Sequence, residues 1–413
     1  MKTNLHQNIL EATRLTRAGR INEATSMLQG LLGGQTGSAS SPGHAPEADT
    51  LRLPPGTERV KKTGGGSDQS DPLHAASLGS MKDTLGRWMK QMKSGQGMPD
   101  LGGLGSLDGL TGRSPASPSD IAPDKGQYLS KSFSNQAGTR AFKLYVPSGY
   151  RGQALPLVVM LHGCTQSPDD FAAGTRMNML AEEQDCFVIY PEQATSANHS
   201  KCWNWFNAAD QNRDQGEPSL IAGITRQVMS EYSIDPQRVY VAGLSAGGAA
   251  AAIMGATYPD LYAAIGVHSG LACGAARDLP SALTAMRQGG SAVAPMCQFS
   301  HGQGKTVIPT IVFHGDNDKT VHPRNGDQVL AASVDAFDKD LLIMTEQGSA
   351  PGGHAYSRTT HADSNGNIIF EQWAVHGAGH AWSGGSPSGS YTDPRGPDAT
   401  REMLRFFLAT RRT

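Results

Sequence analysis

This chain has almost no net charge: 35 Lys and Arg against 37 Asp and Glu leave a formal −2 at pH 7. A general cationic field that would gather nucleic acid is therefore excluded, and no nucleic-acid partner is expected. The substrate expected is uncharged or weakly charged. The sequence also lacks a long apolar run. Its first residues, "MKTNLHQNILEATRLTRAGR", mix charges throughout, so a secretory leader is not expected and the location read from sequence is cytoplasmic. The longest weakly polar run, 239–257, is too rich in Gly and Ala for a membrane span. Cysteine is sparse: Cys164, Cys186, Cys202, Cys273 and Cys297 match no zinc spacing, and the odd count leaves at least one thiol unpaired. Hydrophobic residues make up 38%, enough for a sizeable core but low for a chain packed from end to end, so part of the chain is expected to be disordered.

That part is the first third. Residues 1–32 carry Ile9, Leu10, Leu15, Ile21, Ala24, Leu28 and Leu31 at helical spacings around a turn at 17–20, which predicts a short helical hairpin. Residues 33–124 turn to Gly, Ser, Pro and Asp and read as disordered linker. One island near 78–93 places Met81, Leu85, Trp88, Met89 and Met92 on one face among Lys82, Arg87, Lys90 and Lys93. This cationic amphipathic helix suits weak contact with a polymer or membrane surface, or docking on its own domain.

From 125 to 413 the pattern becomes that of one α/β catalytic domain. The segments "RAFKLYVP", "LPLVVMLHG", "CFVIYPEQ", "RVYVAGL", "YAAIGVHSG", "PTIVFHGDND" and "IIFEQWAVHG" are apolar strands separated by helical stretches. Such a chain builds a mostly parallel, doubly wound sheet covered on both faces.

Within it, "RVYVAGLSAGGAAAAIMGATYP" runs from β-branched residues through Gly243-Leu244-Ser245-Ala246-Gly247 into alanines, a strand and a helix meeting in a very short turn. The plain reading is Ser245 as a helix N-cap; the chemical one is a G-x-S-x-G nucleophile elbow at the positive end of a helix. A serine nucleophile needs a base, an acid to orient the base, and donors for the oxyanion, each just past a strand end. The chain supplies His162-Gly163-Cys164 after one strand, from which a backbone N–H can join that of Ala246. It supplies Asp316 and Asp318 in "HGDNDKTV" after another, and His376 and His380 in "HGAGHAWSGG" after a third. The order Ser, Asp, His is that of α/β-hydrolases. Alternation along the loop cannot choose between Asp316 and Asp318, because residues two apart point the same way.

"LHGCTQ", "YPEQ", "CWNWF", "VAGLSAGGA", "HGDNDKTV" and "GAGHAWSGG" together resemble the polyhydroxybutyrate (PHB) depolymerase-type esterase family, which includes feruloyl and acetyl-xylan esterases and short-chain polyhydroxyalkanoate depolymerases. The resemblance covers about 125–413. It implies an α/β-hydrolase fold and hydrolysis of an ester substrate through an acyl-enzyme, with no metal and no organic cofactor. It also implies Ser245 as nucleophile, Asp318 as orienting acid, His380 as base, and Cys164 and Ala246 as backbone oxyanion donors. Members are often extracellular. Resemblance and proximity together lead us to expect disulfides Cys164–Cys202 and Cys273–Cys297, with Cys186 free in a strand. Trp203 and Trp205 in "NHSKCWNWF", and Trp382 two residues past the base, are the aromatic residues expected against the substrate. The competing functions are a serine peptidase on the same fold, for which no anchoring site for a peptide is recognisable, and a non-enzymatic adhesion protein, against which the complete triad argues.

Overall fold

The computed structural model describes residues 116–290, 307–335, 337 and 340–412. The expected hairpin at 1–32, the linker up to 115, its amphipathic helix and Cys297 lie outside the described residues. The described chain begins before the expected boundary at 125. A single helical turn, α1 (Pro118–Ile121), is tied down where Asn178 Nδ2 donates to the Ile121 carbonyl at 2.8 Å, and Ile121 and Ala122 pack on the core. The folded unit therefore takes in residues that composition alone assigned to linker.

Ten strands form one sheet. They are β1 (Gln127–Asn135), β2 (Gly138–Val146), β3 (Leu155–Leu161), β4 (Phe187–Pro191), β5 (Ile234–Leu244), β6 (Ala264–His268), β7 (Thr310–Gly315), β8 (Leu342–Ser349), β9 (Ala355–Ala362) and β10 (Ile368–Val375), in the order β1-β2-β4-β3-β5-β6-β7-β10-β9-β8. The strands from β4 to β10 along that order are parallel, and the two strands at each edge are antiparallel. The helices are α2 (Pro168–Thr175), α3 (Met177–Glu183), α4 (Gly216–Glu231), α5 (Ala246–Thr257), α6 (Leu279–Gln288), α7 (Arg324–Val334) and α8 (Ala399–Leu408). A two-residue pair, β11 (Trp382–Ser383) with β12 (Thr392–Asp393), stands apart from the main sheet. No helix among the described residues is long and apolar enough to cross a membrane.

Period-two alternation divides the core into two layers, one on each face of the sheet. Leu157, Val159 and Leu161 of β3, with Val239 and Val241 of β5, face the layer built with α4 and α5. Their neighbours Val158, Met160, Tyr240 and Ala242 face the layer built with α2, α3 and α8. Tyr240 stacks on Phe407 of α8 with ring centres 4.9 Å apart. The alanine-rich α5 is buried along nearly its whole length, so it must carry small side chains to lie against three strands at once. At its first turn the approach is closest: a Cβ on Gly247 would stand 2.0 Å from the Leu161 carbonyl oxygen and 2.6 Å from that of His162. Gly247→Ala should therefore force the helix off the sheet and destabilise the domain by about 3 kcal/mol, the upper end for overpacking. Urea denaturation of the two proteins checks this, and a loss below about 0.5 kcal/mol would show that the contact relaxes freely.

Candidate active site

The C-terminal ends of β3, β5, β6, β7 and β10 lie side by side, and each delivers one part of the site. From the end of β5, Ser245 turns the chain into α5 with φ 57° and ψ −119°. A non-glycine residue held there is strained, and such strain persists only where surrounding structure imposes it. Part of that surrounding is the next strand: Ser245 N–H donates to the carbonyl of His268, the last residue of β6, at 2.9 Å. Ala246 opens α5, so its N–H is among the first-turn groups that have no partner within the helix.

The loop after β3 sits against this turn. A Cβ on Gly163 would stand 3.7 Å from Ser245 Cβ, an ordinary van der Waals distance, so the loop runs directly beside the serine turn. Cys164 follows it and is bonded to Cys202 as expected. Cys273 is also disulfide-bonded, and Cys186 is a buried free thiol that burial pushes up to about 12.

After β7, Asp318 is buried with its side chain fully covered, and its Oδ2 lies 2.7 Å from His380 Nδ1. Its Oδ1 accepts the N–H groups of Thr320 and Val321, both at 2.9 Å. Burial pushes the Asp318 carboxyl up, but His314 and His380 together outweigh burial and hold it well below the usual carboxylate range. A carboxylate so held accepts the Nδ1 proton, which leaves Nε2 of His380 as the basic nitrogen. Among the described residues, the bond to Asp318 is the one hydrogen bond of the His380 ring, so Nε2 is available to the serine.

The same two loops make a second acid–imidazole pair. Asp316 Oδ2 lies 2.9 Å from His376 Nδ1, and His376 Nε2 lies 2.9 Å from Ser357 Oγ. Here the side chains of His376 and Asp316 are 43% and 47% exposed, and Ser357 lies within the β9 ladder. A solvated pair without a strained turn or free backbone donors holds loops together and offers little else. Asp316 Oδ1 also accepts Gly377 N–H at 2.7 Å, which ties the acid loop to the histidine loop.

The tryptophans correct the sequence reading. Trp203 and Trp382 are completely buried and Trp205 is 6% exposed, all three within the core layers. Trp203 Nε1 donates to the His162 carbonyl at 3.0 Å, and Trp382 Nε1 donates to Thr400 Oγ1 at 2.9 Å while its ring stacks on His268. Trp203 and Trp382 brace the loops that carry Cys164 and His380, and all three indoles lie in the core, not at the surface. Clustered aromatics near a motif cannot reveal from sequence which way they point.

Sequence reasoning missed the second tier altogether. His268 is buried, stacked between Phe313 and Trp382, and its Nε2 accepts Ser383 N–H at 2.9 Å, linking the serine turn to the histidine loop. Burial holds it neutral, well below 6.5. His314 Nε2 lies 2.8 Å from the Val321 carbonyl and 3.4 Å from Asp318 Oδ2. Both end or nearly end a strand, in "GVHSG" and "VFHGD", the one signal that could have marked them. Among the described residues, no group of three or more His, Cys, Asp or Glu side chains is arranged to hold a metal ion.

The family profile described as "Esterase PHB depolymerase" matches residues 140–337. Over 253 residues the chain is 32% identical to poly(3-hydroxyalkanoate) depolymerase C of Paucimonas lemoignei, covering 60% of this chain and 59% of that protein. The chain is thus similar to PHB depolymerase-type esterases over about half of its length. A second relative, poly(3-hydroxybutyrate) depolymerase of Ralstonia pickettii, is 29% identical over 252 residues, with 58% of this chain and 50% of that protein covered. The probable acetylxylan esterase A of Neosartorya fischeri is 29% identical over 205 residues, 46% of this chain and 54% of that one. The chain spans between half and six-tenths of the length of these curated relatives. Its fold is that of the acetyl xylan esterase from Aspergillus awamori, with a TM-score of 0.54 at 21% identity over 69% of this chain and 99% of that one. That structure identifies the α/β-hydrolase fold.

The two carboxylates of the acid loop should separate cleanly on mutation. Asp318→Asn is expected to keep the fold and lower kcat about ten-thousandfold, because the imidazole loses the partner that sets its tautomer. Asp316→Asn should cost about 1 kcal/mol of stability for lost local hydrogen bonds and leave kcat within a few fold. Kinetics on one short-chain p-nitrophenyl ester with parallel thermal melts decides it; a dead Asp316→Asn would transfer the orienting role to Asp316.

Acid titration gives an independent check. Because the folded pKa of Asp318 is depressed, its contribution to stability is present above about 3.8 and is lost as pH falls through the lower folded value. The acid-side loss of stability should be shallower in Asp318→Asn than in the parent, measured as unfolding free energy against pH.

Proposed function

We propose that the protein is a serine carboxylic ester hydrolase working through an acyl-enzyme. The observation that carries this reading is the pairing of a strained Ser245 at the head of α5 with a base–acid couple, His380 and the buried Asp318 at 2.7 Å, on the neighbouring strand ends. In the first step Ser245 Oγ bonds to the ester carbonyl carbon while its proton passes to His380 Nε2. The carbonyl oxygen becomes an oxyanion and takes the backbone N–H groups of Cys164 and Ala246. Collapse of this adduct breaks the bond to the alcohol oxygen, which leaves with the proton held by His380. Water then attacks the acyl-enzyme, giving its proton to His380, and the second collapse returns that proton to Ser245 and releases the acid.

The substrates we assign are hydroxyalkanoate oligomers or polymer and short-chain, acetyl or feruloyl esters. The support is the match to the PHB depolymerase esterase profile and the polyester and acetylxylan relatives, joined to the chain's near-zero net charge. Esters are assigned over amides because the relatives that carry the similarity are a polyester depolymerase and an acetylxylan esterase.

Ser245→Ala should fold normally and lose about 10⁶ in kcat, the size expected when a triad nucleophile is removed. A fluorophosphonate probe should label the parent at Ser245 and leave the variant unlabelled. Turnover of p-nitrophenyl esters, methyl ferulate and soluble 3-hydroxybutyrate oligomers against peptide anilides then tests the substrate class. Hydrolysis of anilides at rates matching the esters would replace this reading by a peptidase, and a variant within tenfold of the parent would remove Ser245 from the mechanism.

A further inference from the structure

Below the loop that ends at Cys164 lies a buried polar cluster with no part in the chemistry above. Its centre is Glu217, in the first turn of α4 and 6% exposed. Its Oε2 accepts the backbone N–H of Asn204 at 2.7 Å, and its Oε1 accepts Asn204 Nδ2 at 2.8 Å and the side-chain amide of Gln193. The guanidinium of Arg140, on β2 and also buried, stands 3.6 Å away. Asp210 Oδ1 accepts the Glu217 N–H at 2.8 Å. Three N–H donors converging on one side chain require an acceptor at every position, and a carboxylate meets that requirement where an amide does not.

From Glu217 two routes lead to Cys164. Gln193 donates its backbone N–H to His162 Nε2 at 3.1 Å, and His162 Nδ1 donates to the Gly163 carbonyl at 2.7 Å, in the peptide unit that supplies the Cys164 N–H. Burial pushes the His162 imidazole down to about 4, so it stays neutral and serves as acceptor on one side and donor on the other. On the second route Gln193 Nε2 donates to the Cys202 carbonyl at 2.9 Å, and Cys202 is covalently joined to Cys164.

We propose that Glu217 is a positioning residue that, through Gln193, His162 and the Cys164–Cys202 bridge, aims the Cys164 N–H at the oxyanion. This rests on the esterase reading above. Its consequence is specific: a ground-state ester carries little charge on its carbonyl oxygen and the tetrahedral adduct carries a full one, so a misaimed donor weakens the adduct and leaves ester binding nearly unchanged.

Glu217→Gln keeps the shape and turns one acceptor into a donor. It should lower kcat on a p-nitrophenyl ester about 10- to 100-fold, less than outright removal of an oxyanion donor, with KM within about threefold. Inhibition by a trifluoromethyl ketone, which forms a tetrahedral adduct with the serine, should weaken in the same ratio as kcat, while the product acid binds as before. Gln193→Met, which keeps the backbone N–H, should show the same split with a smaller loss, and the double variant should be no worse than Glu217→Gln alone. A folded Glu217→Gln with kcat within twofold of the parent overturns the proposal. So does a variant whose kcat, KM and product binding decline together while ketone inhibition does not follow kcat. If Glu217→Gln fails to fold, unchanged kcat in Gln193→Met overturns it. The parent and Ser245→Ala are assayed alongside. An inactive parent defeats the esterase reading and this proposal with it, whereas an active parent, an inactive Ser245→Ala and a fully active Glu217→Gln defeat the positioning role alone.

Discussion

The structure depends on how closely α5 approaches the sheet. A Cβ on Gly247 would reach within 2.0 Å of a β3 carbonyl, so at that point backbone lies on backbone with no side chain between. The chain can leave β5 and enter α5 so abruptly only if one residue takes an unfavourable conformation, and Ser245 is that residue. The same turn puts the serine at the head of α5, where the N–H of Ala246 has no partner within the helix. Strain, helix start and candidate nucleophile are one local arrangement, stabilised by the two core layers that clamp strand and helix.

Around this point the fold repeats one device. Three buried imidazoles, at the ends of β3, β6 and β7, each hold a backbone group of a neighbouring loop: His162 takes Gln193 N–H, His268 takes Ser383 N–H, and His314 meets the Val321 carbonyl. A buried imidazole can accept at one nitrogen and donate at the other only while neutral, and desolvation keeps His162 and His268 in that state. Loops from different strands are thereby fixed by side chains that lie in the sheet's own layer. Loops so held move little, as preorganised charge stabilisation requires.

How much of this could be read in advance varies with burial. The seven apolar strands from β2 to β10 were legible because a strand covered on both faces must be apolar throughout, and "LPLVVML" or "TIVFHG" satisfy no other role so well. Strands β1, β8 and β9 escaped notice because sheet edges are half in water; "LIMTEQGS" is exposed along nearly all its length and carries no periodic signal. The helical turn at 118–121 was hidden by a Pro- and Ser-rich composition, though tertiary contact to Asn178 secures it.

By itself the sequence determined the fold class, the serine turn and the candidate acid and base, because each is a local pattern: glycines where backbones must touch, apolar runs where strands are covered, polar residues just past strand ends. The local pattern left Asp316 and Asp318 open and only the resemblance implied Asp318; the tertiary structure shows what makes the two acid–imidazole pairs different. Asp316 and Asp318 differ by two positions on one loop, but only Asp318 is enclosed and bonded to His380, while Asp316 meets His376 in solvent. Tertiary structure alone moved Trp203 and Trp382 from substrate to core, and brought Glu217 beneath a loop more than 50 residues earlier in the chain. Burial and partner choice are set by the packing of segments distant in sequence, and no local pattern records them.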